Sequence, residues 1–212
     1  MFGALVVLFI GMALSYDSFL VKEIDEVVAA YMEQLRNPAL TNVFLWFTYI
    51  GSKYVEFPLL IGIVAYMRIT CKNGIISSVL LLNLLLVRWL NSFFKESFGR
   101  ERPVHKPLID VGGLSFPSGH AMITASFYGL LVYFCWRRFA EKGSSVGARI
   151  TAAIGILVIQ MIGISRIYLG VHYFSDVVGG FAAGAALLSL TVVCYNFLIG
   201  ETAKQREGHP GD

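Results

Sequence analysis

The sequence predicts an all-α protein: a polytopic membrane bundle of about six transmembrane helices, with a charged outer loop between helices three and four. Of 212 residues, 56% are hydrophobic and only 15% charged. With a mean hydropathy of +0.67, too few charges remain to cover a water-soluble globule. Apolar runs near the roughly 20 residues a spanning helix needs recur six times. The longest charged connection, Glu96 to Phe116, falls after the third run. The length suits a single domain, 1–212.

The first run, 1–20, opens like a signal-peptide core, and Ala13-Leu14-Ser15 is a weak cleavage sequence. No Lys or Arg precedes it, so a retained helix is expected. The second, 42–67, starts with the amphipathic stretch Asn42 to Phe47 and is interrupted by Pro58, which predicts a bent or interfacial upper end. The third, 74–95, ends at Lys95 and sets Arg88, Asn91 and Lys95 on one face. Glu56 of the second run lies at the depth of Arg88, and intramembrane charges usually pair, so a Glu56–Arg88 pair is expected. The competing role for Arg88 is contact with a second polar group of a ligand. The fourth run, 119–136, follows Phe116-Pro117-Ser118-Gly119-His120; the fifth, 149–166, ends in Ser165-Arg166. The sixth, 173–199, carries Gly180 and Gly184, a small-xxx-small pattern for close helix packing.

The net charge of +3 is mild and makes no case for nucleic acid, so its distribution matters more. Arg68 and Lys72, then Arg137, Arg138, Lys142 and Arg149, then Lys204 and Arg206 fall on one side of a six-span chain. The positive-inside rule makes that side, with both termini, cytoplasmic, and puts the 96–116 and 167–172 connections outside. Cys71, Cys135 and Cys194 lack the spacing of a zinc site or disulfide framework.

Three clusters concentrate groups suited to a phosphate. In 95–103, Lys95 and Arg102 can approach one anion, although either alone reads equally as an interfacial anchor. In 117–120, Ser118 is an N-cap candidate, Gly119 admits close approach, and His120 enters the first turn, a pattern a plain capped helix also explains. In 165–176, His172 and Asp176 are four apart, so on a helix the carboxylate can hydrogen-bond one ring nitrogen and leave the other as base or nucleophile. A structural Asp–His pair locking two helices has the same spacing.

In this order the clusters resemble the signature of the type 2 phosphatidic acid phosphatase superfamily, whose soluble relatives include vanadium haloperoxidases. The pattern is Lys, six residues, Arg-Pro; Pro-Ser-Gly-His; then Ser-Arg, five residues, His, three residues, Asp. All eleven fixed positions are filled. The resemblance implies that His172 attacks phosphorus to form a phosphohistidine, that Asp176 fixes its tautomer, and that His120 protonates the leaving oxygen and later activates water. Lys95, Arg102, Arg166, Ser118 and the Gly119 N–H would hold the phosphate oxygens. It further implies no metal and no cofactor, a lipid phosphate as substrate among membrane lipids, and no obligate protein partner. Phosphatidylglycerophosphate, phosphatidate and undecaprenyl pyrophosphate are the implied candidates, in a bacterial cell envelope. A phosphotransferase of the same superfamily and a membrane anion transporter remain alternatives. His105 and His209 match no motif and are expected to face solvent.

Overall fold

The computed structural model describes residues 1–70, 74–104 and 106–207, and every regular element among them is helical. Cys71, Lys72, His105 and His209 lie outside the described residues, as do the side chains of Lys204 and Arg206.

The first apolar run ends sooner than expected. Helix α1 (Phe2–Ser15) stops before Tyr16-Asp17-Ser18, and Ser18 accepts a hydrogen bond from Val21 N to start α2 (Phe19–Gln34). The two helices meet at 94°. Helix α2 is amphipathic: Asp25 is buried among exposed neighbours, and a search for apolar runs passes over it.

Asn37 caps α3 (Pro38–Ile50) through Leu40 N, with Pro38 in the first turn where its missing N–H leaves no bond unmade. Helix α4 (Lys53–Thr70) continues it after a 47° bend. The bend falls at Gly51-Ser52, while Pro58 sits inside α4. Packing decides the position, because a Cβ on Gly51 would lie 2.5 Å from Ile162 and 3.1 Å from His120.

Helix α5 (Gly74–Phe98) buries Ser77, Leu80, Leu84, Val87 and Asn91, a three-and-four spacing that turns one stripe to the core. After the connection to Ser118, α6 (Gly119–Ile123), a π-helical turn (Thr124–Tyr128) and α7 (Gly129–Glu141) follow without a break. Then come α8 (Ser145–Tyr168) and α9 (Phe174–Glu207). The core gathers Leu80, Leu84, Val87, Met122, Phe127, Leu130 and Ile162 between α5, the α6–α7 segment and α8. Outward, Ile61, Leu82, Trp89 and Leu157 are each more than half exposed, a distribution suited to lipid and costly in water.

Among the described residues three helices are long and apolar enough to cross a membrane, Gly74–Phe98, Ser145–Tyr168 and Phe174–Gly200, and the number rises to five if each bent pair is one span. The expected fourth span is divided by its π turn into pieces too short to count alone.

Gly180 and Gly184 pack as their spacing predicts. A Cβ on Gly184 would lie 2.2 Å from the Met122 carbonyl oxygen, and one on Gly180 would lie 2.7 Å from that of Ser118. Gly184→Ala is therefore expected to destabilise the protein by about 1–3 kcal/mol, with a lower Tm in detergent. Gly62→Ala, with nothing within 4 Å, is the matched control and should leave Tm unchanged or slightly raised.

Candidate active site

The three clusters meet where the connection after α5, the start of α6 and the turn between α8 and α9 come together. Lys95, in the last turn of α5, donates to the carbonyls of Leu114 and Ser115. Arg102 donates through Nε to Gly113 O at 2.9 Å and through Nη1 to Val171 O at 2.7 Å. The same Nη1 is 3.1 Å from His172 Nε2.

Ser118 is the N-cap of α6 by position, but its hydroxyl makes no capping bond. Its backbone N–H donates instead to Asp176 O at 3.0 Å, and its buried Oγ has no hydrogen-bond partner. Gly119 is required by Asn91, whose Oδ1 would be 2.9 Å from a Cβ there; Asn91 also donates to Pro117 O at 3.2 Å. His120 hydrogen-bonds the backbone of Thr48 and lies within electrostatic range of Arg166 and His172.

Arg166, 3% exposed, donates to the Thr48 hydroxyl, while its Nε is buried without a partner. Helix α8 ends in a turn that requires Gly170 at φ +74°, with Val171 N donating to Arg166 O at 3.1 Å. This turn brings His172 back beside Arg166. His172 and Asp176 do not share a continuous helix as their spacing suggested: α9 begins at Phe174, and His172 precedes it. Asp176 reaches backward in the manner of a capping box, accepting from Tyr173 N at 2.9 Å, and that contact brings its Oδ2 to 3.4 Å from His172 Nδ1. Ser115 closes the triangle, 3.2 Å from His172 Nδ1 and 2.5 Å from Asp176 Oδ2.

Residues 77–199 match the PAP2 superfamily. The chain belongs to that superfamily. Phosphatidylglycerophosphatase B of Bacillus subtilis (strain 168) is 34% identical over 191 residues, spanning 88% of this chain and 91% of that protein. The crystal structure of a transmembrane PAP2 type phosphatidylglycerolphosphate phosphatase from Bacillus subtilis matches with a TM-score of 0.82 at 32% identity, over 90% of this chain and 93% of that one. LpxE of Aquifex aeolicus matches with a TM-score of 0.64 at 28% identity, over 84% and 98% of the two chains.

In this PAP2 protein burial holds the His172 imidazole well below its ordinary pKa, and the Arg166 and Arg102 charges act in the same direction. Asp176 opposes them without prevailing, so His172 is neutral at physiological pH and its lone pair is available. Burial also lowers the Arg102 pKa, against the raising effect of the Asp176 charge. Among the described residues, no three His, Cys, Asp or Glu side chains gather as metal ligands.

All eight residues expected at the site lie on the elements that converge here. Arg100, Asp25, Ser115, Thr48 and Asn91 were missed. Asn91 was legible in part, one helical turn before Lys95, and Arg100 stood in the charged connection without a motif to single it out. Thr48 and Ser115 carried no sequence signal. The Glu56–Arg88 pair forms as expected, with Arg88 also 4.9 Å from the Phe57 ring.

Proposed function

We propose that this chain hydrolyses a lipid phosphomonoester or pyrophosphate at the bilayer surface through a phosphohistidine at His172. Phosphatidylglycerophosphate is the first substrate to test, because the two Bacillus subtilis matches, covered over 91% and 93% of their length, carry that name. Phosphatidate and undecaprenyl pyrophosphate come next. One observation carries the reading: around a neutral His172 stand Arg102, Arg166 and Lys95, with Ser118 Oγ and Arg166 Nε buried and unpartnered. Unpaired buried donors cost about 1–3 kcal/mol each, and a phosphate dianion is the group that would satisfy both.

With Nδ1 turned to Asp176, His172 Nε2 is the nitrogen that faces the cations, 3.1 Å from Arg102 Nη1, a contact that a bound phosphate oxygen would take over. It attacks phosphorus as the ester oxygen leaves, and His120 gives that oxygen its proton. The resulting imidazolium is stabilised by Asp176. Water then attacks phosphorus and yields its proton to His120 as the P–N bond breaks and the electron pair returns to His172 Nε2, which regenerates both histidines and releases inorganic phosphate. Gly119 N–H and the three cations hold the equatorial oxygens throughout.

The whole chain, 1–212, acts as a single integral-membrane domain in this reading. Six spans, with α6, the π turn and α7 as the fourth, put both termini in the cytoplasm and the site on the extracytoplasmic face of the plasma membrane. Cys71, Cys135 and Cys194 are to be replaced before cysteine-accessibility mapping tests this topology.

Purified protein given ³²P-labelled lipid is expected to hold label that survives an alkaline quench and is lost in acid, the behaviour of a phosphoramidate. Excess EDTA should not change turnover, since fixed cations take the role that a metal has in other phosphatases. Label absent from wild-type protein during turnover would refute the intermediate, and EDTA-sensitive turnover would refute the cation argument. In ¹⁸O-water, label in inorganic phosphate identifies a hydrolase; transfer to an alcohol identifies a phosphotransferase.

A further inference from the structure

Arg100 stands outside the eleven positions that carry the family resemblance, yet its side chain is only 9% exposed. Its Nη1 donates to Asp176 Oδ1 at 2.6 Å and to Ser175 Oγ at 2.7 Å. Its Nη2 donates to Asp25 Oδ2 at 2.8 Å. The guanidinium also lies 4.9 Å from the Tyr16 ring and 4.2 Å from the Tyr173 ring.

Asp25 is equally committed. It is 1% exposed, accepts from Ser175 N at 2.8 Å through Oδ1, and accepts from Ser175 Oγ at 2.5 Å through Oδ2. The Arg100 carbonyl accepts from Ser115 N at 2.7 Å, and Ser115 in turn touches both His172 and Asp176. A cation thus stands between two buried carboxylates, one of which pairs with the nucleophile.

We propose that Arg100 and Asp25 are positioning residues: Arg100 fixes Asp176 so that Oδ2 faces His172, and Asp25 sets how much of the Arg100 charge Asp176 receives. The elbow between α1 and α2, which supplies Tyr16 and Asp25, then belongs to the active site although it precedes the matched PAP2 segment. This rests on the reading of His172 as nucleophile.

The sign follows from the charges in contact. His172 is faced by Asp176, Ser115, Arg102, Arg166 and His120. Asp176 is faced by His172, Arg100, Ser115, Tyr173 through its N–H and its phenol, and, at longer range, Lys95 and Arg102. Around the open side of Arg100, a cavity of about 280 Å³ is lined by Asp17, Lys22, Glu26 and Glu101 together with Asp25. Asp176 favours the His172 imidazolium, and Arg100 withdraws part of that effect. Losing Arg100 should therefore make His172 more basic. Losing Asp25 gives Arg100 wholly to Asp176 and should make His172 less basic.

The test is ¹⁵N NMR of the His172 ring in histidine-labelled, full-length protein in micelles, assigned with His172→Ala, together with kcat and KM for phosphatidylglycerophosphate. Arg100→Gln combined with Asp25→Asn removes one charge of each sign and so avoids a lone buried carboxylate at position 25. On acidification its His172 should begin to protonate about 0.5–1 pH unit higher than wild type. Its kcat should fall roughly 10- to 100-fold while KM changes less than about threefold. Asp25→Asn alone should move protonation lower. Ser175→Ala, which removes no charge, should fold and lose at least about threefold in kcat without moving the titration.

Titrations unmoved in both charge variants, or moved in the same direction, would overturn the proposal, as would wild-type kcat in Ser175→Ala. Turnover that survives His172→Ala would instead refute the nucleophile reading on which it rests.

Discussion

His172→Ala is expected to lower phosphate release by roughly 10⁴- to 10⁶-fold, the range seen when a covalent nucleophile is removed from a site whose charge-stabilising groups remain. The fold should survive the change. Asp176 would lose its longest contact, 3.4 Å to Nδ1, and keep Ser115 Oγ at 2.5 Å, Arg100 Nη1 at 2.6 Å and Tyr173 N at 2.9 Å. Its carboxylate therefore stays paired, and Tm should move little. His120→Ala separates the two histidines. A general acid matters in proportion to how poorly the leaving oxygen departs without a proton. An aryl phosphate with an acidic phenol should restore rapid first-turnover phenol release in His120→Ala, with hydrolysis of the phosphohistidine still slow for want of the base, and should restore none in His172→Ala. Rescue of both by the activated substrate would sink the assignment of covalent attack to His172.

The same residues show why the convergence of the candidate site was more legible in the sequence than the fold around it. Lys95, Arg102, His120, Arg166, His172 and Asp176 sit at fixed spacings at helix ends, and a short spacing constrains where groups can meet whether or not the local helix is right. The His172–Asp176 contact was expected from helical geometry and is made by a turn and a capping carboxylate, because Tyr173 N supplies the bond that the carboxylate folds back to accept. Helix α2 was invisible for the opposite reason. Asp25 is its buried residue, with Val28 and Met32 only partly buried against the core, so no apolar run announces it, and Asp25 finds its partners in Arg100 and Ser175 from distant parts of the chain. The bend at Gly51-Ser52 had no local signal stronger than Pro58, since its cause is the approach of Ile162 and His120 from distant parts of the chain. Long-range contacts of this kind are not written in any window of sequence. Helix α5 was legible because its core stripe, Ser77 to Asn91, repeats over about four turns at one period.

Arg88→Ala is expected to cost about 3–5 kcal/mol, against a near-neutral result for Arg88→Ala combined with Glu56→Ala. Glu56 is fully buried, and its Oε2 accepts from Arg88 Nη2 while Oε1 has no partner. Deleting Arg88 strands a carboxyl group that must ionise without a partner or take up a proton, and either costs stability in a low-dielectric interior. The converse change is milder. The Arg88 side chain is 27% exposed and packs on Phe57, so without Glu56 its long stem can carry the charge toward water. Glu56→Ala alone should therefore cost less than Arg88→Ala. The four proteins are compared by reversible unfolding in mixed detergent micelles. A coupling energy near zero in that cycle would show that the contact does not hold α4 to α5. Activity gives a second readout with a different sign. If the pair is only structural, the double variant regains both stability and turnover. If Arg88 instead meets a second polar group of the lipid, stability returns while KM for phosphatidylglycerophosphate stays raised. The burial of Glu56 and its bond to Arg88 support the first outcome, with KM restored alongside Tm.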